Sequence, residues 1–342
     1  MRFLIWGTGA IGGTMGAHLA RAGHEVTVLD SDRDHVSAIQ SEGLRVEGPL
    51  AELTVHVPAF TPDTLTGEWN TIILATKAQH TQDAAAALLP HLALDGCVIS
   101  AQNGLNELAI ASVVGQRRTV GAFVNFGADY IAPGVIHYGG RGAVVVGELD
   151  GRLSTRVKDI REAWVDFERD AITTQNIWGY LWGKEAYGAM LFATALTNES
   201  IADALADTRY RALYIALGRE ILTVALARGV TTEAFDGFNP AAFLPSATDD
   251  AAGRSIDDLV TFNRRSAKTH SGIWRDLAIR KRPTEVDAQL GIVIRLAAES
   301  GVDTPLTARL VQLVHDIEAG ARLQSIETLD VLAALCASKN PA

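Results

Sequence analysis

Cysteine is scarce in this sequence, with Cys97 and Cys336 as the two residues of that type among 342. They stand far apart in the chain, so they give neither the framework of a disulfide-rich secreted domain nor the paired spacing of a metal site. We therefore expect no bound metal and a reducing compartment, the cytoplasm.

Long apolar runs are also missing, because no stretch approaches the roughly 20 residues that a transmembrane helix needs. Positive charge is in deficit: 30 lysines and arginines face 40 acidic residues, for a formal net charge of -10. This charge disfavours nucleic acid and anionic membrane surfaces as partners. The 48% of hydrophobic residues is typical of a globular protein, here long enough for two domains. We expect a small-molecule partner.

The first thirty residues carry the clearest motif. The apolar run Phe3–Trp6 leads into a glycine-rich turn and a helical pattern, and a second apolar run, Val26–Leu29, ends at Asp30. The turn has the pattern G-x-G-x-x-G and consists of Gly7, Thr8, Gly9, Ala10, Ile11 and Gly12. This order of strand, glycine turn, helix, strand and carboxylate predicts the βαβ unit of a Rossmann domain that binds a dinucleotide.

Each glycine has its own physical role in this interpretation. Gly7 permits the tight turn after the strand, Gly9 lets a pyrophosphate approach the backbone, and Gly12 lets the helix pack on the sheet. The helix N-terminus at Ala10 and Ile11 offers backbone N–H groups and a partial positive charge to the phosphates. The alternative is a glycine-rich turn with no ligand.

The end of the second strand predicts which dinucleotide binds. A carboxylate there accepts hydrogen bonds from a ribose 2′-hydroxyl and repels a 2′-phosphate, which an arginine would attract. The sequence has Asp30-Ser31-Asp32 at this place, and Arg33 is the nearby cation. The prediction is NAD(H), with NADP as the alternative.

Two further strands of the first half end in polar residues. Thr71–Thr76 is followed by Lys77, and Val98–Ala101 comes just before Asn103. Ligands bind outside the carboxyl ends of the strands in an open parallel sheet, so Lys77 and Asn103 are predicted to line the cofactor site. A solvated lysine and an ordinary Asn-Gly turn are the alternatives.

The remaining pattern divides the chain into two parts. After a helix over 34–42 and a hairpin-like excursion over 44–57, the last strands of the sheet are predicted at 120–128 and 142–147, with His137 as a polar strand residue between them. From Leu153 onward, apolar residues recur with the 3.6-residue period of helices. We predict a Rossmann domain over 1–152 and an all-helical substrate and catalytic domain over 153–342, an α/β fold class overall. Predicted helices of the second half cover 153–168, 177–196, 199–205, 208–228, 255–266, 285–300 and 304–318, and a long loop covers 236–254.

Two ionisable residues of the second half are candidates for chemistry. Lys184 lies in an apolar helix, where it either extends to the surface or faces a cavity that lowers its pKa and makes it a proton donor. Glu285 opens a helix two residues after Pro283, where a carboxylate either stabilises the helix dipole or takes part in catalysis. The pattern alone leaves both alternatives open.

The order of these motifs resembles that of the ketopantoate reductases, the 2-dehydropantoate 2-reductases, over nearly the whole chain. The resemblance is carried by 7–13, by Lys77 in ATKAQHT, and by 102–104, 132–151, 182–184, 282–287 and 301–305. It implies a helical second domain like that of 6-phosphogluconate dehydrogenase relatives, with the active site in the cleft between the domains. It also implies that Lys184 donates a proton to the substrate carbonyl and that Glu285 hydrogen-bonds the substrate hydroxyl. Related enzymes are often dimers, so a homodimer is the assembly to test.

Departures from the family pattern concern the substrate. In ketopantoate reductases the catalytic lysine is followed, one and two helical turns later, by asparagines that hold the substrate, and here Gly188 and Phe192 stand at those positions. A pocket without these amides is larger or more apolar and leaves polar groups of ketopantoate without partners. The replacement substrate contacts that we predict are Tyr187, His270, Ser271 and Trp274.

The sequence therefore favours an NAD-preferring oxidoreductase acting on a small 2-oxo or 2-hydroxy acid or a related hydroxy compound. An authentic NADPH-dependent ketopantoate reductase is one alternative. A non-catalytic protein that senses the state of the dinucleotide is another, and the presence of both Lys184 and Glu285 argues against it.

Overall fold

A computed structural model of the protein describes residues 1–266 and 269–339, so positions 267–268 and 340–342 of the predicted second domain lie outside the described residues. The chain divides into two compact units, Met1–Ile177 and the residues from Trp178 onward. The mixed α/β fold class is confirmed. The division lies later than the predicted boundary at 152/153.

The first unit contains most of the strands. Its strands are β1 (Arg2–Trp6), β2 (Glu25–Leu29), β3 (Leu44–Glu47), β4 (Leu53–Val55), β5 (Ala59–Phe60), β6 (Trp69–Leu74), β7 (Leu92–Ser100), β8 (Thr119–Val124), β9 (Gly127–Ala132), β10 (Val135–Gly140), β11 (Val144–Glu148) and β12 (Ile172–Thr173). Its α-helices are α1 (Ala10–Arg21), α2 (Arg33–Glu42), α3 (Thr81–Leu88), α4 (Glu107–Val114) and α5 (Thr155–Val165).

Within the part of the chain that the structure describes, the main sheet has eight strands in the order β12-β11-β8-β7-β6-β1-β2-β5. Strand β11 is antiparallel to β8, and the other neighbours are parallel. The chain starts at β1, proceeds to β2 on one side and returns to β6 on the other. The carboxyl ends of β1 and β6 therefore flank the point where the strand order reverses, which is where ligands bind in folds of this kind.

Strand β1 is apolar from Phe3 to Trp6 because the sheet is covered on both faces there. Phe3 and Ile5 pack in a core cluster with residues of α1, α5 and the smaller sheet, whereas Leu4 and Trp6 pack in a second cluster with residues of α3 and α4. Burial on both faces holds β1 in the middle of the sheet, so the turn that follows it has a rigid base.

The short strand β12 explains the difference between the predicted and observed boundaries. It pairs in parallel with β11, through Val145 with Ile172 and Val146 with Thr173, and the preceding helix α5 packs on the same sheet. The helical period of the sequence begins at α5, but α5 and β12 belong to the first unit. The helical period of the sequence therefore begins at 153, whereas the first compact unit continues to Ile177.

A second sheet, also within the described residues, has the strand order β4-β3-β10-β9. Strands β3 and β4 are antiparallel, which confirms the predicted hairpin over 44–57. Strand β10 pairs in parallel with β3 and contains His137. The predicted segment 120–128 reaches beyond β8 into β9, which belongs to this second sheet and not to the main one.

The second unit is built from helices. They are α6 (Ile177–Thr194), α7 (Ile201–Ala206), α8 (Arg211–Ala227), α9 (Asp249–Arg264), α10 (Gly272–Arg275), α11 (Ile292–Glu299), α12 (Pro305–Glu318) and α13 (Ile326–Lys339). Two π-helical segments, Asp276–Arg280 and Asp287–Gly291, lie close to α10 and α11. None of the helices in the described ranges is both long and apolar enough to cross a membrane.

The predicted loop over 236–254 is wrong in its second half. A 3-10 turn covers Pro240–Phe243, and α9 already begins at Asp249. The Thr248 side chain caps this helix by accepting the Ala251 N–H at 3.2 Å. Capping by a threonine and acidic residues in the first turn favour a helix start here despite the loop-like composition.

Candidate active site

The glycine turn between β1 and α1 has the geometry that close backbone approach requires. Gly7 has a φ of +97°, and a Cβ atom there would lie 2.8 Å from the Thr76 nitrogen. A Cβ atom on Gly12 would overlap the Gly7 carbonyl oxygen, whereas within the described ranges, and apart from its chain neighbours, the Cβ position of Gly9 has no atom within 4 Å. Gly7 and Gly12 thus close the turn, and Gly9 leaves open space beside it.

The first turn of α1 presents backbone donors to this space. The Gly13 N–H donates to the Gly9 carbonyl oxygen at 2.7 Å, so the N–H groups of Ala10, Ile11 and Gly12 are N-terminal donors of the helix. Ala10 and Ile11 remain partly accessible, and burial begins at Gly12. Backbone donors, the helix dipole and the open space at Gly9 fit the pyrophosphate of a dinucleotide.

Asp30 joins the glycine turn to the end of β2. Its Oδ2 atom accepts the Thr8 N–H at 2.8 Å, and its Oδ1 atom accepts the Asp32 N–H at 3.0 Å. The Asp32 carboxylate in turn caps α2 by accepting the N–H groups of Asp34 and His35. The carboxylate predicted to meet the ribose therefore lies beside the turn predicted to meet the phosphates.

The electrostatic environment at the end of β2 is negative. Burial, together with the carboxylates of Asp32, Asp30 and Asp34, raises the pKa of Tyr130 to about 12. The Tyr130 hydroxyl donates to Asp32 at 3.4 Å. Three carboxylates within reach of one phenol make this end of the site unfavourable for a second anion.

Arg33, the cation considered for a 2′-phosphate, is paired with a carboxylate. Its Nη2 atom lies 3.0 Å from Oδ2 of Asp63, and both side chains are exposed. An exposed ion pair is weak, but it gives the guanidinium a partner other than a ligand.

The ends of β6 and β7 are joined by a network of amide and hydroxyl groups. The Gln102 amide donates to the Thr76 carbonyl oxygen at 2.9 Å and to the Thr81 hydroxyl at 2.8 Å. The Thr81 hydroxyl donates to Oδ1 of Asn106 at 3.0 Å, and Nδ2 of Asn106 donates to the backbone oxygen of Asn103. No motif of the sequence predicts the contact between Thr81, the first residue of α3, and Asn106, the N-cap of α4, because the two residues belong to separate segments of the chain.

These bonds bring the predicted cofactor residues of the first unit to one edge of the sheet. Gly7 lies against the loop that holds Lys77, Asp30 bonds the glycine turn, and Asn103 lies in the loop that follows β7. Lys77 is partly accessible and Asn103 is exposed. The four residues share the carboxyl edge where the strand order reverses.

In the second unit, helix α6 presents a narrow accessible stripe. After its first turn, the residues that keep partial exposure are Tyr180, Lys184, Gly188 and Leu191, spaced four, four and three residues apart. Such spacing places them on one face of the helix. Lys184 therefore lies one turn before Gly188. Phe192, by contrast, is 0% exposed, so Leu191 and not Phe192 continues the stripe.

The segment that contains Glu285 is held by helix α12. The Thr284 N–H and hydroxyl both donate to Oε1 of Glu318 at 2.7 Å. His315 bridges Oε2 of Glu318 and Oδ1 of Asp287, each at 3.0 Å. Burial acts to lower the pKa of His315, but the hydrogen bonds to Glu318 and Asp287 raise it on balance. Glu285 thus lies between two anchored residues.

The Glu285 segment faces the stripe on α6. The Gln289 N–H donates to the Glu285 carbonyl oxygen at 2.9 Å, which places the two residues one turn apart. Oε1 of Gln289 lies 3.8 Å from the Cβ position of Gly188, the nearest atom to it outside the helix backbone and chain neighbours. The structure therefore brings α6 and the π-helical segment together at Gly188.

His270, Ser271 and Trp274 form a group of their own. The ring centroids of His270 and Trp274 lie 4.1 Å apart. Nε2 of His270 lies 3.3 Å from the backbone oxygen of Asn198, and Nε1 of Trp274 donates to Oδ1 of Asn198 at the same distance. The Ser271 hydroxyl accepts the Trp274 N–H at 3.1 Å as the N-cap of α10. Ser271 has this structural role whether or not it binds substrate.

Tyr187 lies in a different environment. The Asn263 amide donates to its hydroxyl at 3.0 Å, and its ring packs against Phe235 and Phe238. Burial raises the pKa of Tyr187 to about 12, with Asn263 acting in the opposite direction. The hydroxyl is engaged within the aromatic cluster, and its neighbours differ from those of His270 and Trp274.

The parallel sheet, the glycine turn at its switch point and the acidic residue after β2 place the chain among the dinucleotide-binding oxidoreductases. Two family models define it more closely: "Ketopantoate reductase PanE/ApbA" matches residues 3–151, and "Ketopantoate reductase PanE/ApbA C terminal" matches residues 176–318. The chain belongs to the ketopantoate reductase PanE/ApbA family. It is an NAD(P)-dependent oxidoreductase.

Curated relatives and solved structures agree with this assignment. The 2-dehydropantoate 2-reductase of Pyrococcus horikoshii is 27% identical over 326 residues, which cover 93% of this chain and 98% of the relative. That of Halobacterium salinarum is 27% identical over 321 residues, 92% of this chain and 98% of the relative.

Two solved structures illustrate the range of the fold. A PanE/ApbA family ketopantoate reductase from Ralstonia eutropha has a TM-score of 0.78 at 25% identity, covering 94% of this chain and 99% of the other. A ternary structure of D-mandelate dehydrogenase with NADH and anilino(oxo)acetate has a TM-score of 0.82 at 22% identity, with the same coverage.

Proposed function

We propose that this protein interconverts a 2-oxo acid and the corresponding 2-hydroxy acid with NAD(H) as cofactor. The observation that carries the proposal is the position of Lys184, on the accessible stripe of an otherwise buried helix and one turn before Gly188. An ammonium group so placed meets the need of carbonyl reduction, because negative charge develops on the carbonyl oxygen as the reaction proceeds.

Lys184 and Glu285 have different roles in the proposed mechanism. The nicotinamide, when bound, supplies or accepts the hydride. Lys184 stabilises the developing alkoxide and gives it a proton, and in the reverse direction it takes the proton of the substrate hydroxyl. Glu285, between the anchored residues Thr284 and Asp287, accepts a hydrogen bond from a substrate hydroxyl or orients the ammonium group.

The preference for NAD(H) rests on the end of β2. Asp30, Asp32 and Asp34 make this region negative, and Arg33 pairs with Asp63. A 2′-phosphate would be repelled here, whereas a ribose 2′-hydroxyl finds acceptors. The D-mandelate dehydrogenase structure, which holds NADH and a 2-oxo acid derivative, is a precedent for this pairing of cofactor and substrate class in a similar fold.

Replacement of the proposed proton donor tests the mechanism. Lys184→Ala should lower kcat roughly 100- to 10,000-fold, the usual contribution of general acid catalysis, because the alkoxide loses its proton source. The affinity for NADH, measured by fluorescence titration, should change little. Lys158→Ala, a change of an exposed lysine on α5, is the matched control and should keep full activity. Ordinary turnover by Lys184→Ala would remove Lys184 from the mechanism.

A substrate screen separates the proposal from an authentic ketopantoate reductase, which the names of the curated relatives favour. The purified enzyme is assayed with NADH and NADPH against ketopantoate and a panel of 2-oxo acids, including aromatic ones. We expect NADH-linked turnover and a poor response to ketopantoate. Ketopantoate reduction with NADPH as the best pair would support the alternative. Binding of NADH without turnover of any carbonyl compound would support a dinucleotide sensor.

A further inference from the structure

Gln289 is a polar residue that has no role in the mechanism proposed above. It is 6% exposed, and its side chain makes no hydrogen bond to any residue in 1–266 or 269–339. Its polar atoms are not among the fully buried side-chain atoms that lack a partner, so they remain open to solvent although the residue as a whole is buried. A carboxamide that is accessible in an otherwise buried side chain, and that bonds no described residue, is available to a ligand.

The space in front of this carboxamide is created by Gly188. Apart from its own helix backbone and chain neighbours, the atom of the described residues that lies within 4 Å of the Cβ position of Gly188 is Oε1 of Gln289, at 3.8 Å. Any side chain longer than that of alanine would extend from Gly188 into the region that the carboxamide faces. The glycine on α6 and the glutamine of the opposite segment thus border the same open volume.

The proposed catalytic residues stand one turn away on both sides. Lys184 precedes Gly188 by one turn of α6, and Glu285 precedes Gln289 by one turn, as the 2.9 Å bond between their backbones shows. The segment Asp287–Gly291 is π-helical, and π-turns within helices occur often at functional sites. The wider turn changes the direction in which Gln289 projects relative to a regular α-helix.

We propose that Nε2 of Gln289, the amide nitrogen next to the Oε1 atom that borders Gly188, donates a hydrogen bond to an oxygen of the substrate's 2-oxo acid group at the space that Gly188 leaves open. This inference rests on the proposed function. The keto and carboxylate oxygens of a 2-oxo acid are acceptors only, and Glu285 beside them is an acceptor as well when ionised. Lys184 and Gln289 are then the donors that satisfy them. Gln289 is a positioning residue and transfers no proton.

Two substitutions of Gln289 separate a donor role from a packing role. Gln289→Leu keeps the approximate volume and removes both polar atoms, and Gln289→Glu keeps the shape and an acceptor but removes the donor. Both should raise KM for the 2-oxo acid about 10-fold or more, the effect of one hydrogen bond to a charged or strongly polar group, with a smaller fall in kcat. Gln289→Glu should be at least as impaired as Gln289→Leu.

Binding of oxamate, an unreactive analogue of a 2-oxo acid, to the enzyme–NADH complex gives a readout that does not depend on chemistry. Its Kd, from quenching of NADH fluorescence, should rise in parallel with KM, while the Kd of NADH stays constant. Gly188→Leu, which fills the open volume from α6, should weaken oxamate binding in the same way. Gln312→Leu, at an exposed glutamine on α12, is the matched control and should leave all values unchanged.

The outcomes are distinguishable. Unchanged KM and oxamate binding in both Gln289 variants, in an active and folded enzyme, would overturn the inference and leave the proposed function intact. Near-normal values for Gln289→Glu alone would show that Gln289 acts as an acceptor, which also overturns it. A wild-type enzyme that turns over no 2-oxo acid would overturn the proposed function and this inference together.

Discussion

At the scale of the residue, Asp30 combines two tasks that depend on the same carboxylate. It accepts the N–H groups of Thr8 and Asp32, which joins the glycine turn to the loop after β2. It is also the group predicted to accept a ribose hydroxyl. A carboxylate has lone pairs enough for both tasks, since each oxygen accepts more than one hydrogen bond.

Asp30→Asn should shift cofactor preference from NADH toward NADPH. The amide keeps the size of the side chain but loses the negative charge that repels a 2′-phosphate. The kcat/KM with NADH divided by that with NADPH should therefore fall about 10-fold or more. Asp95→Asn, at an exposed site on β7, is the control. A ratio equal to that of the wild type would mean that Asp30 does not discriminate between the cofactors.

At the scale of the element, helix α2 supports the glycine turn through His35. His35 is fully buried, and its Nε2 atom lies 2.9 Å from the Thr8 carbonyl oxygen. Its Nδ1 atom accepts the Gly134 N–H at 2.8 Å. Because Nδ1 is an acceptor, the neutral ring carries its proton on Nε2 and donates it to Thr8. One imidazole thereby links the glycine turn to the turn between β9 and β10.

His35→Leu should destabilise the first unit and weaken cofactor binding together. It leaves the Thr8 carbonyl and the Gly134 N–H without a partner in a buried place, at a cost of about 1–3 kcal/mol for each group left unpaired. Denaturant titration should show the loss of stability, and NADH titration a higher Kd. His56→Leu, at an exposed histidine next to β4, should show neither effect. Unchanged NADH affinity in a destabilised His35→Leu protein would limit His35 to a purely structural role.

At the scale of the whole molecule, two histidines give the two units opposite responses to pH. Burial, with smaller effects from Arg21 and Arg141, lowers the pKa of His18 in the first unit to about 4. In the second unit, the pKa of His315 is raised, because its hydrogen bonds to Glu318 and Asp287 outweigh the opposing effect of burial. A lowered histidine pKa stabilises the folded state at high pH, and a raised one stabilises it at low pH.

The pH dependence of the free energy of unfolding should reflect both the lowered pKa of His18 and the raised pKa of His315. As pH falls from 6.5 toward 4, the unfolded chain binds a proton at His18 that the folded protein does not, so stability decreases. The contribution of His315 is fully present below its unfolded pKa and is lost as pH rises through its raised folded pKa. Urea denaturation on both sides of pH 6.5 should show the acid-side slope reduced in His18→Phe and the alkaline-side loss reduced in His315→Gln. Parallel pH profiles in both variants and the wild type would contradict these assignments.

Elements whose signals are local can be predicted from the sequence. The run Phe3–Trp6, the glycines at 7, 9 and 12, and Asp30 give the βαβ unit, because turn conformation and two-sided burial act on consecutive residues. The same holds for the hairpin over 44–57 and for most helices of the second unit. Composition misled at 236–254, where one capping threonine outweighs glycine and proline, and α13 was not predicted.

Contacts between residues that are far apart in the sequence follow from tertiary packing. The pairing of β12 with β11, the ion pair between Arg33 and Asp63, and the approach of Gln289 to Gly188 join positions far apart in the sequence. Periodicity tells which face of an element is buried, but it does not tell what covers that face. Those contacts depend on how helices and strands pack in three dimensions. The candidate substrate contact between Gln289 and the space at Gly188 is of this kind.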